Sequence, residues 1–261
     1  MKTLLLTVIV AIELVSLSCG ATKSQTNSES PREQTPVTKQ TVIVMPPSEN
    51  ADEYKNLLFV DQRLEELITR HNLPTDPFAK AYQHVKEGKT DDAKKSLRQI
   101  LSDPVAEVRE KLWAWRALRE LGEKPPASVA NEVQGVVMEV PVDDWIDTLA
   151  AYSDGRARYL NPKGGLIVWE AMDENRLSTL AKSFINAAKP LVEGAPISDK
   201  HQPAKNGVVR VSILTYSGIR ILEGKDSDVI AGRHILSPAV YAGQELFLAL
   251  IAAAEKQKDA K

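Results

Sequence analysis

Arg156, Arg158, Arg210, Arg220 and Arg233 are scattered through the second half of this chain, and paired carboxylates stand nearby as Asp143–Asp144 and as Asp226 with Asp228. Side chains two apart on a strand share a face, so Arg156 aligns with Arg158, and Arg210 with Ser212. A planar guanidinium recognises carboxylate or phosphate with its two-pronged edge. If the hairpins carrying Arg156, Arg158 and Arg210 lie side by side, the result is an anion-binding strip, and with neighbouring carboxylates an unfamiliar acid–base site. The alternative for the same residues is a salt-bridged sheet face. Carboxylate pairs in loops bind Ca²⁺, serve proton transfer, or simply solvate a turn.

Other chemistry is sparse. His71, His84, His201 and His234 fall in separate segments without ligand spacing, so no metal ligands and no cofactor are expected. The chain has no HExxH, no glycine-rich loop ending in lysine and no GxSxG. No catalytic residue is therefore assigned. With 33 Lys and Arg against 35 Asp and Glu, a net charge of −2 and no basic tract, nucleic acid is not expected as a partner.

The one cysteine, Cys19, closes an N-terminal apolar run that follows Met1–Lys2, extends from Leu4 to Leu17 and is interrupted by Glu13. The run is shorter than the ~20 residues that span a bilayer. A positive start, a short apolar core and small residues at its end (Ser16-Leu17-Ser18-Cys19-Gly20) describe a secretory signal. The segment resembles the signal and lipobox of a bacterial lipoprotein, with Ser16 where leucine is usual and Leu17 one step later. The resemblance implies that residues 1–18 are a signal peptide and that Cys19 is acylated as the first mature residue. It further implies export and lipid anchoring at the cell envelope, at the outer membrane or periplasmic face if the cell has two membranes. Cleavage after Ser18 or Ala21 by ordinary signal peptidase, giving a secreted protein, is the alternative. Several acyl chains hold a protein firmly, at about 0.8 kcal/mol per buried CH₂.

Residues 19–52 read as a disordered, lipid-anchored tether, because Ser, Thr, Gln, Asn, Pro and Lys leave too little apolar surface to offset ordering. Its reach is roughly 30 Å. Val42-Ile43-Val44-Met45, stopped by Pro46–Pro47, either docks on the folded body or is a sticky patch in the linker.

A small all-α region is expected over 53–126. Leu57, Leu58, Leu64, Leu67 and Ile68 form one apolar stripe, predicting a helix to about His71. Phe78–Glu87 with Gly88 after it, then a helix opened by Thr90 with Asp91 and Asp92 in its first turn, predict a helical hairpin. Asp103–Pro104 is expected to launch a fourth helix through Trp113 and Trp115 to Gly122. Gly88, Ala93, Leu97 and Pro104 make the stretch from Phe78 to Asp103 resemble one tetratricopeptide unit; a plain helical pack is the alternative. Residues two apart on a helix point roughly 160° apart, so Trp113 and Trp115 are expected to face different neighbours, one of them the next domain or a partner.

An α+β domain is expected over 127–256. Val133–Val140, Trp145–Tyr152, Arg156–Leu160 and Leu166–Glu170, joined by turns such as Asp154–Gly155, predict an antiparallel meander. A helix capped by Asp173 follows, then a polar mobile loop over 195–206, a hairpin across Ser217–Gly218 and a faint strand at Val229–Ile230. Ser237–Pro238 opens a last helix, apolar all round and expected to be fully buried, before a charged tail at 257–261. The economical arrangement is one antiparallel sheet of about six strands with two helices on one face. Function is expected to be non-enzymatic: an envelope binding or assembly module with a membrane contact through its lipid and a protein partner. An enzyme centred on the arginines and a sensor of an unknown small molecule are the alternatives.

Overall fold

An eight-stranded antiparallel sheet, covered by helices on both faces, organises the protein. The computed structural model describes residues 42–45, 51–68, 75–163, 165–170, 175–198 and 204–259. Cys19, the signal and most of the expected tether lie outside the described residues, as do His71, His201 and the expected cap Asp173. The described residues all belong to one compact unit, Gln40–Lys261.

In chain order the elements are β1 (Val42–Met45), α1 (Ala51–Leu58), α2 (Leu64–Leu67), α3 (Pro77–Lys86), α4 (Thr90–Ser102) and α5 (Val108–Glu120). Then come β2 (Val133–Val142), β3 (Trp145–Tyr152), β4 (Ala157–Asn161), β5 (Gly165–Trp169), α6 (Arg176–Ala188), a 3₁₀ turn (Lys189–Leu191) and β6 (Ile197–Ser198). The chain ends with β7 (Val208–Thr215), β8 (Gly218–Lys225), α7 (Asp226–Ile230) and α8 (Ser237–Asp259). The strand order is β1-β5-β4-β3-β2-β7-β8-β6. The meander and the later hairpin form as their turn residues predict.

Eight strands replace the expected six because both edges recruit short segments. Val42–Met45 leaves the expected tether and pairs with β5, Val42 opposite Trp169 and Met45 opposite Leu166. Ile197–Ser198, expected in a mobile loop, pairs with Arg220 and Ile219 of β8. Each satisfies backbone groups of a strand that would otherwise be the edge.

Covering also differs from expectation. One face packs Val136, Leu149, Tyr159, Val211 and Ile213 against Phe184 and Ile185 of α6 and Leu246 and Leu250 of α8. The opposite face packs Val137, Tyr152, Val168 and Leu214 against Leu67, Phe78, Leu97, Trp113 and Leu118 of the N-terminal helices. The sheet is thus the middle layer of three, and strands buried on both faces carry continuous apolar runs such as Gly165–Trp169.

Several local expectations give way to tertiary contacts. The predicted first helix is two, α1 and α2, broken at Phe59–Val60, where Val60 takes a positive φ of 53°. The break lets Leu58, Phe59 and Val60 all enter the core, and the Tyr152 hydroxyl donates to the Leu58 carbonyl at 2.9 Å. Asp103 and Pro104 do not start α5; Asp103 accepts from the Val105 amide in a turn at 2.9 Å. The helix begins at Val108, where the Glu107 amide donates to Glu110 at 2.7 Å in a capping box. Asn175 caps α6, accepting from the Ser178 amide at 3.0 Å. Val229–Ile230 is helical, in α7. The turn before β4 needs Gly155, whose φ is 86° and whose missing Cβ leaves room for Ser178 of α6.

α8 is long and apolar enough over Ser237–Gln257 to cross a membrane by length and composition, with a mean hydropathy of 1.3. In the fold Ala239, Leu246, Leu250 and Ala254 form its buried stripe, while Tyr241 and Leu248 are exposed. One face is buried, not the whole circumference.

Candidate functional site

Of the arginines singled out by type, Arg156, Arg158 and Arg210 are buried, Arg220 is half-buried and Arg233 is exposed. Arg156 is buried in the turn ahead of β4 and bonds Asp154 at 2.6 Å, Glu170 at 3.0 Å and Glu107, at the start of α5, at 3.3 Å. Burial opposes its charge, but the carboxylates of Asp154 and Glu107 outweigh that and hold its pKa above the ordinary value. Arg158 lies deeper. It bonds Glu170 and donates to the carbonyls of Ala157 at 2.9 Å and Trp169 at 3.0 Å. Desolvation, helped by the Arg109 charge, pulls its pKa down. Arg109 itself lies 5.4 Å over the Trp113 ring and 5.8 Å over Tyr152. Three cations and three carboxylates thus clamp the β3–β4 turn to the start of α5.

Arg210 belongs elsewhere. β4 and β7 are separated by β3 and β2, about 14 Å at the usual strand spacing. Arg210 pairs across the sheet with Glu139 on one side and Glu223 on the other. Its Nε donates to Glu223 at 2.9 Å. Glu139 is fully buried and receives Lys55 of α1 at 2.7 Å. Thr148, directly opposite Glu139 on β3, extends this polar row. Arg156, Arg158 and Arg210 therefore fall in two separate ion-paired groups, not one strip.

Trp113 and Trp115 are both buried and diverge as helical geometry requires. Trp113 donates to Gln62 at 2.7 Å, whereas Trp115 meets Tyr216 in the β7–β8 turn, with ring centroids 6.0 Å apart. Both belong to the core cluster that packs the N-terminal helices on one face of the sheet, so the expectation that only one of them meets the strands does not hold. The paired carboxylates are surface groups: Asp144 binds Lys163 at 2.8 Å and Asp228 binds Arg233 at 2.6 Å. Hydrogen bonds from Lys163 and Arg233 hold Asp144 and Asp228 below the usual carboxylate range. His234 accepts from the Leu236 amide at 3.3 Å. Among the described residues, no three His, Cys, Asp or Glu side chains group as metal ligands.

A cleft of about 690 Å³ opens where the loop before β2 meets the end of α6 and strand β8. Val133, Gln134 and Val192 are its buried residues, Arg220 is half-buried, and Asn131, Glu132, Lys189 and Glu193 are exposed at its rim. Among the described residues Arg220 contacts only neutral oxygens: Ala195 O at 2.8 Å, Val192 O at 3.4 Å and Asn131 Oδ1 at 2.9 Å. Its Nε is buried without a hydrogen-bond partner. Residue type pointed to Arg220 as one of five cations, but nothing in the chain links residues 131–134, 189–193 and 220; the fold alone brings them together.

A second perturbed group is Asp147 on β3, beside Tyr159, which accepts from Asn161 at 3.3 Å and packs on Phe247 of α8. Burial pushes its carboxyl up to about 6, and the nearby donors Tyr159 and Trp145 offset only part of this. Their weak pull agrees with the geometry, which leaves Asp147 Oδ1 and Trp145 Nε1 outside any well-formed hydrogen bond. Burial, then the Asp147 charge, also raises Tyr159. Comparison with family models, with curated proteins and with solved structures finds no match for this chain.

Proposed function

We propose that the protein is a lipid-anchored cell-envelope protein of non-enzymatic binding or assembly type. The observation that carries this reading is the position of the only cysteine, Cys19, between a signal-like apolar run and a polar stretch leading to the folded body. The first described element is β1 at Val42, so some twenty polar residues would separate an acylated Cys19 from the body. In this reading residues 1–18 are removed as a signal peptide, the chain is exported, and the membrane contact is the lipid. The body then offers a protein partner its surface, including the tetratricopeptide-like α3–α4 hairpin.

Arg156, Arg158 and Arg210 favour a structural over a catalytic role, since carboxylates of the same chain occupy their guanidinium edges. A second reading, a small-ligand sensor, draws support from the cleft around Arg220. Replacing Cys19→Ser tests the anchor: the wild-type protein is expected to partition into detergent and carry the mass of added acyl chains, and the variant to lose both. A mature mass ending cleavage at Ser18 or Ala21 without acyl groups would mean secretion instead. Affinity capture from a cross-linked envelope fraction tests the assembly role; a named protein should return reproducibly above background.

A further inference from the structure

The Arg220 cleft is a candidate for ligand chemistry that the tethered-module reading does not specify. A guanidinium taken out of water normally ends on a carboxylate, as the half-buried Arg116 and the buried Arg156, Arg158 and Arg210 do in this fold. Arg220 instead holds a full positive charge against two carbonyls and one amide oxygen. Neutral oxygens satisfy hydrogens but do not cancel charge, and the buried Nε–H has no acceptor. At the rim stands a second cation, Lys189, exposed and, among the described residues, engaged in no ion pair. Glu132 and Glu193 also line the cleft, but both are exposed, where water screens their repulsion.

We propose that this cleft binds a carboxylate that pairs with the half-buried Arg220 guanidinium and is closed over by Lys189. A carboxylate matches the site in three ways. It supplies a counter-charge, it competes with the neutral Asn131 oxygen for the Nη2 donor as a stronger, charge-assisted acceptor, and the hydrocarbon attached to it can lie on Val133 and Val192. The charge comes either from a free small carboxylic acid or from the C-terminus of a peptide. The inference is independent of lipidation, because nothing in it involves Cys19.

The full-length protein in detergent micelles is titrated, by calorimetry and by amide chemical shifts, with acetate, succinate, a tripeptide ending in a free carboxylate, and the same tripeptide as its C-terminal amide. Saturable binding of the free acids is expected, about tenfold or more weaker for the amide, and weakened by salt. A tripeptide about tenfold tighter than acetate identifies a peptide terminus as the source; equal affinities identify a free acid. Lys189→Glu, at an exposed side chain, should weaken binding about five- to tenfold with no change in melting temperature, and Glu193→Gln should tighten it about twofold. Arg220→Gln should abolish binding. Because Arg220 also ties Val192 and Ala195, that variant is judged only if it keeps its melting temperature, and the two rim variants decide otherwise. The proposal is overturned by no saturable binding of any carboxylate at tens of millimolar. It is equally overturned if the amide binds as well as the acid, or if Lys189→Glu and Glu193→Gln leave the affinities unchanged.

Discussion

Replacing Asp147 by asparagine should make the protein more stable at neutral and alkaline pH while changing little in acid. Asp147 keeps its proton to about pH 6 in the fold, against 3.8 for an ordinary aspartate. Between those values the folded state binds more proton than the unfolded chain. The stability associated with this group is therefore complete below pH 3.8, and it is lost as pH rises through about 6. The difference corresponds to about 3 kcal/mol at 1.36 kcal/mol per pH unit. The side chain is only 8% exposed, so solvent screening removes little of that figure. Asparagine keeps the shape and removes the ionisation, and its amide has the Tyr159 oxygen nearby as an acceptor. Asp147→Asn should thus gain about 2–3 kcal/mol over the wild type at pH 8 and roughly nothing at pH 3.5. Urea unfolding of both proteins from pH 3.5 to 8 at constant salt measures this. The comparison must be between the two curves, because Glu87, Asp144 and Asp228 have lowered pKa values and tilt each raw curve the other way. A gap that stays constant with pH, or a wild type more stable at pH 8, refutes the reasoning.

Other perturbations follow from the same packing. Glu139→Ala leaves Lys55 and Arg210 without the fully buried carboxylate between them and should cost about 3–5 kcal/mol in urea unfolding. Lys55→Met added to that variant should recover part of the loss, since it removes one stranded charge. Gly155→Ala should cost about 2 kcal/mol or more in the same assay. There a left-handed backbone coincides with a Cβ that would come within 2.9 Å of Ser178.

The meander from Val133 to Trp169, the Ser217–Gly218 hairpin and the last helix were legible because turn residues and periodicity are local properties. The two-sided covering of the sheet departs from the expected single covered face, although Val133–Val140 and Gly165–Trp169 lack the alternation of a sheet with one wet face. Those runs were the available signal. For the site, residue type pointed to Arg156, Arg158 and Arg210 but said nothing of their burial. An arginine in a strand is ordinarily exposed, and only register reveals Glu139 and Glu223 on either side of Arg210.

Order along the chain, the identity of its turns and the solitary thiol at residue 19 are written in the residues themselves, because each depends on neighbours a few positions away. Which charges are neutralised, which carboxyl has its pKa raised by burial and which guanidinium, among the described residues, meets only neutral oxygens depend on groups dozens of residues apart. Desolvation and Coulomb forces act through space, so those properties came into being when α1 to α5 closed over one face of the sheet and α6 and α8 over the other.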